Sequence, residues 1–599
     1  MTVTTSSVFS TAFRLTSYVF LRVIPSPIAQ ALAASFYLGY LLSSFLSRPV
    51  KRSANPIYAV VFSLRSHSRR IQHLNAFINT IIALGVLEFV ATPFLDHASD
   101  LIFMRTGAIY PDSAKIIVRY PHNDSTESVH LVWRETTADD DSHPWNKGPS
   151  FSLNPERDWV DTVTLKGLWP NTSYEYALSV SNNTLLSYPN SPLSFKTFPD
   201  SRLPGGTHLK FMSTSCILPN FPYTPSQSRV IKGFDIMNDF ISRTESHPRF
   251  LLLLGDFIYA DVPVFIGNSK EAYRRMYRRV YSSPSFRNIY ERFPIFNIYD
   301  DHEVINNYVG EGNGSVVPYA SATDAYQIYN ADANYAANKK AHDYHYTFRY
   351  GDIEFFVMDT RKYRSSQSTA PEERTMLGDE QLGELYDWLS RVNSTATFKF
   401  IVSSVPFTSL WGHDAQTDSW AGFPHEKAQL LEILHTVPNV YILSGDRHEF
   451  AAVEFNGKNP NSHIIREFST SPLSMFDIPF IRTLSMKSNA TGVMTTKYVQ
   501  SHENGTETSL KDVVEVPRER VLRYIPRGNH KWSTIDVDTR DRDRPILTLE
   551  VVVDGKTQYH NEFVGTPVKI QASTALGAFV SHGMKDIFHR IGMQPSRWF

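Results

Sequence analysis

The stretch FLLLLGDFIYAD at residues 250–261 decides the fold, because an apolar run there meets a Gly-Asp turn that carries Asp256 and Tyr259. A short continuous apolar run bounded by a turn predicts a buried strand. Three similar stretches are LKFMSTSC (209–216), IFNIYDDHE (295–303) and VYILSGDRHEF (440–450). Each ends in acid, histidine or cysteine side chains, and open α/β sheets place ligands at the ends of their strands. The four turns therefore predict one shared site at the edge of a sheet.

The side chains at these turns are of types that bind metals. The candidate ligands are Cys216, Asp256, Tyr259, Asp301, Asp446 and His448. The three aspartates offer only oxygen, which suits a hard divalent ion such as Ca²⁺, Mg²⁺ or Mn²⁺. The thiolate, phenolate and imidazole of the other three favour ferric iron over zinc. A carboxylate shared by two ions about 4 Å apart would let them clamp a phosphate and generate hydroxide.

Each of these residues alone has a plainer explanation. A single buried cysteine is usually an inert core residue. An aspartate after a strand is often the N-cap of a helix. The joint occurrence of these residue types, each after an apolar run, favours a metal site.

The first hundred residues differ in character from the rest of the chain. Residues 28–47 form an uncharged run long enough to span a bilayer, and 76–95 form a second candidate weakened by Glu88 and Pro93. The loop between them carries five arginines and one lysine but no acid, so the positive-inside rule places it in the cytoplasm. We therefore expect a membrane protein whose catalytic domain is lumenal or extracellular. A cleaved signal followed by a soluble helix is the alternative.

Composition narrows the class of protein. The net charge is −1, and hydrophobic residues make up 42% of the 599 positions, so neither disorder nor a nucleic-acid partner is expected. The single cysteine excludes an intrachain disulfide, so stability must come from buried cores.

The pattern along the chain predicts four parts. We expect a membrane region with two transmembrane helices at 1–98, an all-β sandwich at 99–200, an α/β catalytic domain at 201–565 and a C-terminal amphipathic helix at 566–599. The sandwich prediction rests on alternating stretches and on the segment 168–178, which resembles a corner of a fibronectin type III domain, with Tyr174 at the tyrosine corner.

The ordered motifs resemble those of the PhoD-type alkaline phosphatases, a branch of the metallophosphoesterases. They are Cys216 followed by GDFIYAD, DDHEVINN, DTRKYR and SGDRHEF, and the resemblance covers about residues 100–560. It implies a metallophosphoesterase fold with mixed sheets and flanking helices, behind a fibronectin III-like sandwich. It also implies Fe³⁺ with Ca²⁺, and hydrolysis of phosphate monoesters and some diesters.

The resemblance also implies a role for each motif residue. It implies Cys216, Tyr259 and His448 as iron ligands, Asp256 as the bridging carboxylate, Asp301 and Asp446 as ligands of the second ion, and His302 as the acid facing the leaving group. Asp300 and Glu303 are expected to orient His302. Arg361 could bind the phosphate substrate, and a surface ion pair with Asp359 is an equal alternative.

The sequence thus predicts a membrane-anchored, extracytoplasmic phosphatase that uses a metal-bound hydroxide to attack phosphate monoesters. Two alternatives stay open. One is a phosphodiesterase or phospholipase D-like enzyme that acts on lipid headgroups. The other is a membrane-tethered binding protein with an inactive phosphatase domain.

Overall fold

A computed structural model describes residues 4–46, 55–64, 66–121, 128–136, 144–180, 184–202, 205–244, 246–312, 314–336, 342–477, 481–501 and 507–569. The helices are α1 Thr5–Tyr18, α2 Pro27–Leu46, α3 Pro56–Val61, α4 Arg69–Leu95, α5 Lys232–Ser242, α6 Lys270–Tyr281, α7 Pro284–Tyr290, α8 Tyr319–Tyr329, α9 Gly378–Val392, α10 Ala415–Asp418 and α11 Pro424–Leu434. The amphipathic helix expected at 566–599 lies almost wholly outside the described residues.

The strands in chain order are β1 Phe103–Ile109, β2 Ser113–Arg119, β3 His130–Glu135, β4 Asn146–Ser150, β5 Val160–Lys166, β6 Ser173–Ser179, β7 Leu193–Lys196, β8 His208–Thr214, β9 Leu251–Leu254, β10 Ile295–Ile298, β11 Tyr346–Tyr350, β12 Ile353–Val357, β13 Phe398–Ser403, β14 Val440–Ser444, β15 Phe450–Phe455, β16 Ile465–Thr470, β17 Thr491–Ser501, β18 Glu507–Pro517, β19 Glu519–Ile525, β20 Lys531–Asp538, β21 Ile546–Val553 and β22 Lys556–Val564.

The N-terminal helices form a bundle with an apolar outer surface. Helix α1 continues through one stretch of π-helix, turns back at 24–26 and packs along α2, where Phe9 meets Phe36. Helices α2 and α4 are long and apolar enough to cross a membrane by length and composition. In the most apolar stretch of each helix, only 11% of α2 and 17% of α4 is buried inside the protein, whereas a core helix of a soluble protein is mostly buried.

Helix α1 carries one charged residue, Arg14, within an otherwise uncharged sequence. The structure partly buries this arginine against α4, where its Nε donates to Oδ1 of Asn79 over 2.7 Å and its Nη2 donates to Oδ1 of Asn75 over 3.1 Å. The cost of an arginine between apolar helices is offset when its donors are satisfied in this way.

Residues 103–196 form two antiparallel sheets, ordered β1-β2-β5 and β4-β3-β6-β7. The hydroxyl of Tyr174 accepts the backbone N–H of Trp169 over 2.8 Å, which is the contact that a tyrosine corner makes. Asp158 joins this unit to the next, since it binds Arg119 of β2 at 2.9 Å and Arg278 of α6 at 2.5 Å. Arg278 is therefore a buried bridge between the two units.

The catalytic part contains two mixed sheets with flanking helices, which confirms that part of the predicted fold. Their strand orders are β10-β9-β8-β20-β21-β22 and β11-β12-β13-β14-β16-β15-β19. Aromatic side chains fill the space between the sheets, where Phe211 of β8 packs 5.1 Å from Phe250 and 5.3 Å from Phe400 of β13. Within the sheets, β8, β9 and β10 run parallel, as do β12, β13, β14 and β16, so their carboxyl ends meet along one edge.

Candidate metal centre

The candidate ligands lie directly after the parallel strands. Cys216 follows β8, Asp256 follows β9 and Asp446 follows β14, with backbone φ angles of +61°, +52° and +68°. Non-glycine residues adopt this left-handed conformation at a cost of roughly 1–3 kcal/mol, and they keep it only where the surroundings impose it. The sharp turns direct all three side chains back over the sheet edge.

Glu303 fixes the central turn. Its carboxylate accepts the backbone N–H of Asp256 at 3.1 Å, of Phe257 at 2.5 Å and of Asp300 at 2.7 Å. Gly255, at φ +98°, lets the chain pass Asp300, because a Cβ atom there would lie 2.6 Å from the Asp300 Cβ. Glu303 therefore positions the β9 and β10 turns, and the expectation that it orients His302 is wrong.

Four side chains form the first group. Sγ of Cys216 lies 3.3 Å from Oδ2 of Asp256, and the hydroxyl of Tyr259 lies 2.9 Å from the same oxygen. The Tyr259 hydroxyl is also 3.2 Å from Nε2 of His448. One ion would be within reach of a thiol, a carboxylate, a phenol and an imidazole.

The protonation states of this group fit a cation. Burial, then the charge of Asp256, raises the pKa of both Cys216 and Tyr259, so both are neutral without a positive charge beside them. Burial, with the charge of Arg447, lowers the pKa of His448, which keeps the imidazole in the neutral form that binds metals. A metal ion would displace the thiol and phenol protons.

A second set of oxygen ligands adjoins the first. Ligand atoms of Asp256, Asp301 and His302 lie within 4.8 Å of one another, and so do those of Asp300, Asp301 and Asp446. Among the described residues, Oδ1 of Asp256, Oδ2 of Asp300 and Oδ1 of Asp301 are buried without a hydrogen-bond partner. Buried unpaired carboxylate oxygens are costly, so this oxygen-rich cluster fits a hard cation. Asp256 contributes to both groups, as a bridging carboxylate must.

His302 is held by a residue to which the sequence analysis assigned no role. Its Nδ1 donates to Oδ1 of Asp261 over 2.6 Å, and Oδ2 of Asp261 accepts the backbone N–H of Asn306 over 3.0 Å. Burial alone would lower the pKa of His302, but the charges of Asp261, Asp301 and Asp256 raise it well above the ordinary value. Asp261, at the end of the GDFIYAD motif, therefore orients His302, the role expected for Asp300 and Glu303.

Arg361 is not placed where the predicted substrate contact needs it. It is fully buried, its Nε binds Asp300, and its Nη1 and Nη2 donate to the two oxygens of Asp418 over 2.8 and 2.9 Å. Its Nη2 also lies 3.4 Å from Oδ1 of Asp301. The Arg361 guanidinium therefore holds two carboxylates of the second group, those of Asp300 and Asp301, through buried ionic contacts. The alternative, a surface ion pair with Asp359, is wrong as well, because Arg361 is fully buried and it is its backbone N–H, not its guanidinium, that donates to Oδ1 of Asp359.

A cavity of about 480 Å³ opens over the candidate ligands. Its polar side includes Arg447, whose Nη1 donates to Asp414 over 2.8 Å, together with His413 and Asn307. Arg447 lies within the SGDRHEF motif, but the sequence analysis gave it no role, because nothing in its local sequence distinguishes it from Arg361 as a phosphate ligand.

The N-terminal helices reach this centre directly. Ile24, Pro25, Ser26 and Pro27 line the cavity. A hydrophobic cluster joins the helices to the first group through Phe20, Leu21, Ala29, Phe89, Leu218, Phe221, Tyr223, Met475, Cys216 and Tyr259. No sequence signal pointed to this contact.

Three comparisons place the chain among known proteins. A model of the PhoD-like phosphatase family matches residues 211–512. Alkaline phosphatase D of Bacillus subtilis (strain 168) is 27% identical over 272 residues, which are 38% of this chain and 45% of that protein, so the chain spans less than half of this relative.

Two solved structures share the fold. A structure of PhoD superimposes with a TM-score of 0.50 at 18% identity, over 83% of this chain and 98% of its own. The purple acid phosphatase PPD1 from yellow lupin seeds has a TM-score of 0.50 at 15% identity, over 77% of this chain and 73% of its own.

Proposed function

The chain belongs to the PhoD-like phosphatase family, and from that premise we propose that it is a metal-dependent phosphatase that hydrolyses phosphate monoesters. The observation that carries the proposal is the pair of adjoining ligand groups that share Asp256 below a cavity onto which His302 faces. The intact ligand set disfavours an inactive, membrane-tethered binding protein.

The two groups would hold different ions. Cys216, Tyr259, His448 and Asp256 would hold Fe³⁺, while Asp256, Asp301, Asp446 and Asp300 would hold Ca²⁺, with Mg²⁺ or Mn²⁺ as alternatives. Bound together, such ions neutralise phosphate oxygens and lower the pKa of water enough to supply a nucleophile.

His302 would donate a proton to the leaving alkoxide. Its Nδ1 is engaged by Asp261, which leaves Nε2 to face the cavity, and the charges of Asp261, Asp301 and Asp256 raise its pKa, which favours the protonated form that a proton donor needs. Arg447 replaces Arg361 as the proposed phosphate-binding residue, because it lines the cavity and its planar fork matches phosphate oxygens.

The membrane assignment is part of the proposal. Helices α2 and α4 would cross the bilayer with the loop between them in the cytoplasm, and the catalytic domain would be lumenal or extracellular. The seven-stranded sandwich would be a fibronectin III-like scaffold, a role supported by its tyrosine-corner contact.

A diesterase activity, including a phospholipase D-like one, is the second candidate. The cavity extends past the ligand groups to Ile24 and Phe476, which leaves room for a second ester substituent. Comparing turnover of a phosphate monoester with that of its methyl diester measures this preference.

Metal analysis and a substrate panel on the purified full-length protein test the proposal. We expect iron and a second metal at about one each per chain, and release of phosphate from p-nitrophenyl phosphate. Asp256→Asn should lose both metals and activity together, whereas Asp235→Asn on the surface of α5 should lose neither. Wild-type protein that binds no metal, or that binds metal but cleaves no phosphate ester, would refute the proposed function.

A further inference from the structure

The turn that lines the cavity is fixed to the catalytic domain. Nη1 of Arg22 donates to the backbone carbonyl of Tyr223 over 2.7 Å, and the Tyr223 N–H donates to the carbonyl of Leu21 over 2.9 Å. The Tyr223 hydroxyl donates to Glu88 of α4 over 2.6 Å, and Arg229 binds Asp96 just after α4 over 2.8 Å. The helices therefore form a wall of the site and are not merely tethered beside it.

The length of α2 sets the height of the cavity above a bilayer. Helix α2 has 20 residues, which at 1.5 Å per residue span about 30 Å, the full thickness of the hydrocarbon core. Since all 20 are needed to cross, its first residue, Pro27, must lie at the membrane surface. Pro27 also lines the cavity, so the cavity mouth lies at that surface.

Helix α4 fits the same level when its membrane segment is counted from its first residue, Arg69, and not from the start of the apolar run at 76–95. The 20 residues from Arg69 to Glu88 then cover about 30 Å, and Glu88 is the residue that binds Tyr223 of the catalytic domain. The remaining turns of α4, up to Leu95, pack beside the catalytic domain. Two helices thus place the membrane boundary at the level of the turn 24–27.

The lining of the cavity is partly apolar. It includes the apolar side chains of Ile24, Val262, Met475, Phe476 and Ile481 together with the polar Arg447 and His413. Ile481 is 59% exposed, and Ile28, the second residue of α2, is 74% exposed. Exposed apolar side chains therefore lead from the metal centre onto the surface of a membrane helix.

We propose that the substrates are phosphate esters of membrane lipids, which enter the cavity from the bilayer on which the enzyme sits. The phosphate would reach the metal centre and Arg447, while the apolar chain would pass over Ile24 and Ile481 and stay in the bilayer. This inference rests on the proposed phosphatase function and specifies its substrate class.

A matched pair of substrates tests the inference. Phosphatidic acid and glycerol 3-phosphate present the same kind of reacting group, a phosphate monoester on glycerol, and differ in the acyl chains. With full-length protein in phosphatidylcholine vesicles, phosphate release from phosphatidic acid in the same vesicle should exceed that from glycerol 3-phosphate at least tenfold in kcat/KM. Phosphatidic acid in separate vesicles should be cleaved at least tenfold more slowly than in the enzyme's own.

A pair of variants distinguishes a specific role of the apolar cavity wall in lipid binding from a general effect on folding. Ile481→Asp should lower the ratio of lipid to glycerol 3-phosphate turnover at least tenfold, whereas Leu185→Asp, which is 44% exposed in the sandwich, should leave both rates unchanged. Equal turnover of the two substrates, equal turnover in both vesicle arrangements, or an unchanged ratio in Ile481→Asp overturns the inference while the phosphatase function stands. Failure to cleave any phosphate ester overturns both.

Discussion

Replacing Asp261 by Asn tests how the protein maintains the protonation of His302. The two side chains meet at 2.6 Å and are only 14% and 15% exposed, so solvent screens their interaction little. A hydrogen bond to a charged partner contributes about 1.5–3 kcal/mol. Losing the charge should therefore lower the pKa of His302, and about 1.5–3 kcal/mol corresponds to a protonated form that is about 10–100-fold less favoured.

The direction of the change follows from the role of the acid. A proton donor must hold its proton, so kcat/KM falls as the pH rises through the pKa of His302. With this pKa raised, we expect the wild-type protein to keep its activity into the alkaline range. Asp261→Asn should move the alkaline limb of the profile to lower pH.

The assay is a pH profile of kcat/KM on an alkyl phosphate, whose leaving alkoxide needs the proton. Metal content should stay at the wild-type level, because Asp261 belongs to none of the three candidate ligand groups. Asp235→Asn serves as the control for the loss of a remote carboxylate. An alkaline limb that stays in place in Asp261→Asn, with metal retained, would refute the assignment of His302 as an acid held by Asp261.

Three further changes probe other parts of the molecule. His302→Ala should keep its metals while kcat falls about 10²–10⁴-fold on alkyl phosphates and less on p-nitrophenyl phosphate; equal losses on both would argue against a proton donor. Tyr259→Phe should bleach or shift a visible absorption band if the first site holds Fe³⁺, and a colourless, fully active zinc enzyme would contradict the ferric assignment. Arg361→Met should leave the buried carboxylates of Asp300 and Asp418 without their positive partner and destabilise the fold by about 3–5 kcal/mol, measured as a lower Tm. If Arg361→Met changed only KM and left the stability unaltered, the original prediction that Arg361 contacts the substrate would be supported.

The sequence predicted the features that depend on local pattern. An apolar run followed by Gly-Asp is a strand and its turn whatever lies around it, so the positions of Asp256 and Asp446 at a sheet edge could be inferred. The structure brings the six candidate ligands together there. Left-handed backbone at three of them was not foreseen, because no glycine marks those positions.

Features that depend on distant partners could not be inferred. Arg361 and Arg447 each lie shortly after a strand, and no local pattern shows that Asp418, 57 positions from Arg361, holds that arginine away from the cavity while Arg447 lines it. The partner of Arg14 is equally distant, since its Nε donates to Asn79, 65 positions away. Likewise, no local pattern indicates that the turn at residues 24–27 lies over the metal centre.

The contact of that turn with the cavity also constrains the order in which an active molecule is made. Residues 24–27 leave the ribosome long before Cys216 or His448, so the hairpin of α1 and α2 is in place before the catalytic domain folds against it. A fragment that began after residue 97 would retain every candidate ligand and still lack one wall of its own site. Proteolytic shedding would therefore release a domain whose cavity lacks residues 24–27, so hydrolysis of the proposed lipid substrates would stay confined to the place where the N-terminus resides.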